Sequence, residues 1–208
     1  MKIFDISYGL SNTMTIYEGD QPFRRTETLS LKKGGKATLS VITTGSHNGT
    51  HFDAPSHMLK NGKTIDRIDP ALFFGPVLVV AIRDRKTITR AELESVDFRG
   101  IRKVLFKTRN SVLLEKNRPF KKEFVHLTEE AAEYLGKKKM ELVGVDYLSV
   151  DRFHSGDHPA HRALLRNGVL ILETVNLYRV PAGKYRLFAA PLLVKGGDSG
   201  LARAFLMK

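Results

Sequence analysis

The chain has 208 residues, 42% hydrophobic and 27% charged, a balance that fits one globular domain spanning 1–208 and excludes an intrinsically disordered protein. It contains no cysteine, which rules out disulfides, thiolate zinc sites and cysteine nucleophiles and leaves His, Asp and Glu as ligands for a catalytic metal. Lys and Arg outnumber Asp and Glu by 34 to 22, a formal net charge of +12, yet the positive residues are scattered. The tightest cluster, Lys137-Lys138-Lys139, follows an expected helix end, where cations favour the dipole. A solvated basic surface that attracts anionic substrates is therefore expected, rather than a nucleic-acid interface.

Charged residues interrupt the apolar run at the start, Met1-Lys2-Ile3-Phe4-Asp5, so no signal-peptide core forms there. The longest apolar stretch, 77–82, is too short to span a bilayer. A cytoplasmic protein with no membrane partner is the expectation. In chain order, residues 2–7, 26–31, 37–44 and 77–82 read as strands, each β-branched or apolar. Thr89-Arg90-Ala91-Glu92 is a capping box that opens a helix. A strand at 103–107 follows, then Thr128-Glu129-Glu130 with two acids in the first turn of a second helix. After a strand at 141–145 comes a third helix, with Pro159 at its first position, a helical run over 160–166 and Gly168 past its end. Strands at 169–173, 185–194 and 201–207 complete the chain. Many strands with few helices indicate a mixed α/β (α+β) fold with a mixed sheet as its core.

The chemistry concentrates in His47-Asn48-Gly49-Thr50-His51-Phe52-Asp53-Ala54-Pro55-Ser56-His57, three of the seven histidines plus an aspartate in eleven positions. Asn48-Gly49 and Pro55 argue against a helix, which points to an extended segment leaving the 37–44 strand. Even spacing then turns His47, His51 and Asp53 to one side. Two imidazoles and a carboxylate suit Zn²⁺ or another divalent transition metal, Mn²⁺ included. A second group, His154-Ser155-Gly156-Asp157-His158-Pro159-Ala160-His161, places His161 in the first turn of the third helix. His154 and His158 precede it in a loop and are expected to be solvated. Glu173 ends an apolar strand, either emerging into solvent or held by a partner.

The motif His-x-Gly-Thr-His-x-Asp-x-Pro-x-His at 47–57 resembles the signature of the cyclase family, which includes bacterial kynurenine formamidases and isatin hydrolases. Asp5-Ile6-Ser7, the segment 144–150, His161-Arg162-Ala163-Leu164-Leu165, Ile171-Leu172-Glu173 and Ala190-Pro191-Leu192 extend the likeness over nearly the whole chain. The resemblance implies a swivelling β/β/α fold and a homodimer or larger assembly. It also implies one metal on His47, His51 and Asp53, and a second on His161 and Glu173 that shares Asp53, making two ions per chain. It implies His57 as the acid/base residue. Where formamidases of the family carry Trp-Pro-Gly-Asp, this chain has Tyr17-Glu18-Gly19-Asp20, so Tyr17 is expected to wall the substrate pocket.

The expected activity is hydrolysis of a small aryl formamide or cyclic amide of the N-formylkynurenine type. A divalent ion lowers the pKa of its bound water to about 7 and polarises the carbonyl, while His57 protonates the leaving nitrogen. The rivals are ring opening of another cyclic amide or lactone, and a non-catalytic metal- or nucleic-acid-binding protein. No Gly-x-Ser-x-Gly elbow supports a serine triad.

Overall fold

The computed structural model describes residues 1–82 and 86–208. In chain order its strands and helices are β1 (Ile3–Asp5), β2 (Arg24–Leu29), β3 (Leu39–Thr43), β4 (His51–Asp53), β5 (Phe74–Ala81), β6 (Thr87–Ile88), α1 (Arg90–Glu94) and β7 (Lys103–Lys107). They continue with α2 (Ser111–Glu115), β8 (His126–Leu127), α3 (Glu129–Lys137), β9 (Leu142–Val145), α4 (Pro159–Arg166), β10 (Leu170–Glu173), β11 (Gly183–Pro191) and β12 (Ser199–Met207). This is the mixed α/β class with few helices that the patterning indicates. Among the described residues no helix is long and apolar enough to cross a membrane.

Eight strands form one sheet in the order β1-β12-β11-β5-β7-β9-β10-β4. Because β4 also pairs with β12, the sheet closes into a barrel, with β1 added along β12. The run β5-β7-β9-β10 is parallel and the remaining pairings are antiparallel. Parallel neighbours require crossovers, and the chain spends its helices there. Strand alternation separates two cores. Ile6, Phe52, Val77, Val79, Leu105, Leu142, Leu172 and Leu187 fill the barrel. Val104, Phe106, Val143, Val145 and Ile171 point outward against Ala131, Leu135, Ala163 and Leu164 of α3 and α4.

The start signals work as chemistry. Thr89 accepts from the Glu92 amide while the Glu92 carboxylate accepts from the Thr89 amide, the reciprocal capping box. Thr128 caps α3 through the Ala131 amide, and α4 starts at Pro159. Gly168, at φ +74°, supplies the left-handed residue past the α4 end.

Several boundaries move for identifiable reasons. The strand expected at 26–31 runs Arg24–Leu29, because Leu31–Lys33 coils into a 3₁₀ turn closed by Gly34. The strand expected from Val77 begins at Phe74; Pro76 is accommodated because pairing with β7 starts only at Leu78. The strand expected to reach Val194 stops at Pro191, and the apolar Leu192–Val194 stretch leaves the sheet exposed. Residues 47–53 are not one extended run continuing the 37–44 strand. The chain turns after β3 and returns as β4, so His47 sits in a turn while only His51 and Asp53 share a strand face. The short elements α2, β6 and β8 carry too little periodicity for a sequence pattern to register.

The β2–β3 hairpin stands apart. All of its strand residues are exposed, among them Leu29, Leu39, Val41 and Ile42.

Candidate functional site

The strand that closes the barrel also carries the site. On β4, Phe52 points inward to the barrel core, so His51 and Asp53 point to the opposite face. There the β10 register sets Glu173 directly across from His51 and Ile171 across from Asp53. Opposed residues share a face, which brings His51, Asp53 and Glu173 into one buried cluster. Local bonds hold the strand end in place. Thr50 Oγ1 accepts from the Tyr8 amide at 2.8 Å and donates to the Thr174 carbonyl at 2.6 Å. Thr174 itself adopts φ +58°, a strained backbone that these contacts and the Thr174 amide bond to the Tyr147 carbonyl sustain.

Each histidine is fixed by a partner on its outer nitrogen. His51 Nδ1–H donates to the Gly49 carbonyl at 2.8 Å, which leaves Nε2 as the lone-pair nitrogen. Gly49 has φ +66°, and a Cβ there would meet Leu10 Cδ2 at 2.6 Å, so the carbonyl is presented by a position that only glycine suits. His47 has a carboxylate on both sides, Asp53 Oδ1 at 2.9 Å from Nδ1 and Asp198 Oδ2 at 3.0 Å from Nε2. His161, in the first turn of α4, places Nε2 3.4 Å from Asp53 Oδ2 and 3.3 Å from Glu173 Oε1. Glu173 Oε1 is oriented by the Val150 amide at 2.7 Å.

Asp53 is fully buried, and its two oxygens face different partners. Oδ1 lies 2.9 Å from His47 Nδ1 and 3.2 Å from His51 Nε2, whereas Oδ2 faces His161 Nε2. Burial would raise the Asp53 pKa, but the surrounding His161, His47 and His51 hold it well below the usual carboxylate range. Burial and the negative charge of Asp53 push Glu173 up. Burial opposes charge on His47, yet Asp53 and Asp198 outweigh it and bring its pKa to about 9. Burial takes His57 the other way, to about 4, helped by the nearby charges of His47 and His161.

The donor set fits a divalent cation. His51 Nε2 and Asp53 Oδ2 are buried polar atoms that make no hydrogen bond among the described residues, a costly arrangement unless a cation takes them. Two ligands on one tetrahedral ion with bonds of about 2.0–2.1 Å lie about 3.3 Å apart. The 3.2, 3.3 and 3.4 Å spacings of His51, Glu173 and His161 around this cluster match that edge. Donor atoms lie within 4.8 Å of one another in the groups His47–Asp53–His57 and His51–Asp53–Glu173.

Above this floor opens a cavity of about 380 Å³, lined by Tyr17, Asp20, His47, His57, Met58, Ser149, His158, His161 and Glu173 among others. Tyr17 packs against Phe120 and Phe153 at 5.2 and 5.5 Å, an aromatic wall. His57, from the 3₁₀ turn Pro55–His57, has its ring centroid 4.1 Å from that of His47, with Nδ1 3.7 Å from Asp198. The structure thus gathers His47, His51, Asp53, His57, His161, Glu173 and Tyr17 at one place. His154 is exposed and stacks on Phe153, as its loop position suggests. His158, left-handed at φ +53°, is half-buried and lines the cavity. Sequence reasoning passes over Asp151 and Asp198. Neither has a local pattern to betray it; Asp198 sits in a Gly-Gly-Asp-Ser-Gly turn and Asp151 ten residues before the histidine it contacts.

Comparison with known proteins identifies the family. The model of the Cyclase family matches residues 4–152. The kynurenine formamidase of Bacillus cereus is 33% identical over 202 residues, covering 97% of this chain and 95% of that protein. A solved structure described as a predicted metal-dependent hydrolase from Bacillus stearothermophilus has 34% identity and a TM-score of 0.85, covering 99% of this chain and 97% of that one. Isatin hydrolase A from Labrenzia aggregata has 26% identity and a TM-score of 0.83, covering 99% and 93%. With the histidine–aspartate cluster on its barrel-closing strand and these relatives along nearly its full length, the chain belongs to the Cyclase family of metal-dependent hydrolases.

Proposed function

We propose that this protein is a metal-dependent hydrolase of C–N bonds other than peptide bonds, cleaving a small aryl formamide or cyclic amide of the N-formylkynurenine type. The observation that carries it is the buried Asp53 carboxylate, whose two oxygens face separate imidazoles beneath an aromatic-walled cavity. His47, His51 and Asp53 would hold one divalent cation, Zn²⁺ or Mn²⁺, and Asp53, His161 and Glu173 a second. Such ions acidify water and polarise a carbonyl when bound.

The chain's own residues do the rest. Tyr17 packs the aryl ring and orients the carbonyl toward the floor of the cavity. His57 is neutral, since burial holds its pKa near 4, so it can accept the proton of the attacking water. As the carbon–nitrogen bond breaks, His57 returns that proton to the leaving nitrogen. Water supplies the new oxygen on the acyl carbon, and the amine leaves neutral. The direct test compares formanilides and N-formylkynurenine with isatin and an aliphatic formamide, for wild type and Tyr17→Ala. The aryl substrates should turn over best, and Tyr17→Ala should raise KM for them and not for the aliphatic one. Equal effects on all four would discard the aryl pocket, and turnover of isatin alone would favour ring opening, the activity named for the Labrenzia relative.

Wild type should bind two ions per chain, with Glu173→Ala holding one and His47→Ala retaining the ion on His161. Elemental analysis of the three proteins decides it, and a wild type that saturates at one ion would remove the second site.

His57→Ala should keep its metal and lose turnover by about 10²- to 10⁴-fold, the span of general acid–base catalysis. Loss of metal in the same sample would make His57 a ligand, a role its proximity to His47 and Asp53 also permits.

The protein should also form homodimers. An isolated two-stranded ribbon is marginal in water, and the β2–β3 hairpin exposes Leu39, Val41 and Ile42 at 58, 55 and 60%. Light scattering should read twice the chain mass and fall to one chain in Leu39→Glu/Ile42→Glu. A wild-type monomer at micromolar concentration would contradict this.

A further inference from the structure

His161 has a firm hold on its far side. Asp151, 2% exposed, takes three donors: the Ala160 amide on Oδ1 at 2.8 Å, the His161 amide on Oδ2 at 3.1 Å, and His161 Nδ1–H on Oδ2 at 2.6 Å. One carboxylate therefore ties down both the first amides of α4 and the imidazole that α4 carries. The 2.6 Å separation is that of a charge-assisted hydrogen bond. Asp151, His158 and His161 do lie within ligand range of one another. Even so, two atoms sharing a cation with bonds of about 2.0–2.1 Å stay at least about 2.8 Å apart even at a right angle, so no ion sits between Asp151 Oδ2 and Nδ1.

The outer partners of the other two histidines differ. His51 leans on the neutral Gly49 carbonyl, and His47 on Asp198, whose side chain is 49% exposed. Only Asp151 is both charged and buried. We propose that Asp151 is a positioning residue that locks the His161 proton on Nδ1 and the ring in place. Nε2 is thereby kept as a lone-pair donor toward Asp53 and Glu173. This rests on the reading of His161 as a metal ligand. An acceptor on the far nitrogen of a ligating imidazole also raises its basicity, and loss of such a partner typically weakens metal binding about 10- to 100-fold.

Asp151→Asn is nearly isosteric but exchanges one acceptor oxygen for an NH₂ group. With the amide nitrogen toward His161, the ring is driven to carry its proton on Nε2, aimed at Asp53 and Glu173. With it toward Ala160, a donor faces a donor at the start of α4. Titration of metal-free protein with Zn²⁺ against a competing chelator should then show one ion bound as in wild type and the other about 10- to 100-fold weaker. Two ions bound with wild-type affinity would overturn the proposal. His161→Ala runs alongside. If it still binds two ions, the ligand reading itself is wrong; if it binds one while Asp151→Asn binds both normally, only the positioning role falls. Should Asp151→Asn not fold, nitrogen NMR of Zn²⁺-loaded wild type decides alone. The expected signature is a protonated Nδ1 and unprotonated Nε2 on His161, and an unprotonated Nδ1 overturns the proposal.

Discussion

A fully buried carboxylate is among the most expensive things a protein can contain unless donors or positive charge surround it. Asp53 is one, and much of the local architecture answers to it. Three imidazoles crowd its oxygens, and the chain brings them from a turn, a strand and a helix start. Burial opposes charge on His47 and His161, yet the carboxylates around them outweigh it and raise both pKa values. Burial, the term that disfavours any charge here, also makes the site selective for an occupant that can neutralise it.

Barrel closure and the site are one event. The three residues of β4 complete the ring between β10 and β12, and the same three residues alternate between the polar cluster and the core: His51, Phe52, Asp53. Phe52 fills the barrel while its neighbours face the cleft beneath α4. A register slip of one residue would turn His51 and Asp53 into an apolar core and Phe52 out of it, so the hydrophobic demand of the barrel enforces the register of the site. The strained Thr174 and the left-handed Gly49 lie at the ends of this pairing, where the backbone must turn sharply to let β4 fit.

The charge of the molecule and the charge of its cavity differ in sign of effect. The chain is +12 overall, yet among the described residues lining the cavity no lysine or arginine is found. The basic residues lie elsewhere on the molecule, where their field can draw anions toward it without offering a fixed partner inside. Tyr17, backed by Phe120 and Phe153, lines the cleft beside His47, His57, His158 and His161.

Sequence alone determined the elements with strong local chemistry. The Thr89–Glu92 capping box, the Pro159 start and Gly168 end of α4, and the apolar strands β7, β9 and β10 follow from propensities and caps that act within a few residues. The density of histidine and aspartate at 47–57, with cysteine absent, likewise marked a metal-type donor set. The route by which those residues meet was not legible. An extended run from 47 to 53 satisfies the spacing, but the structure turns at Gly49 and obtains convergence from sheet register instead. Glu173 could be solvated or partnered on its spacing, and only the antiparallel pairing of β10 with β4 set it opposite His51. Asp151 and Asp198 gave no signal because an outer hydrogen bond needs one carboxylate at the right distance and leaves no periodic trace. Local sequence encodes bonds made by near neighbours, whereas this site also needs pairs such as His51–Glu173, Asp53–His161 and His47–Asp198, which lie far apart in the chain and meet only once the barrel has closed.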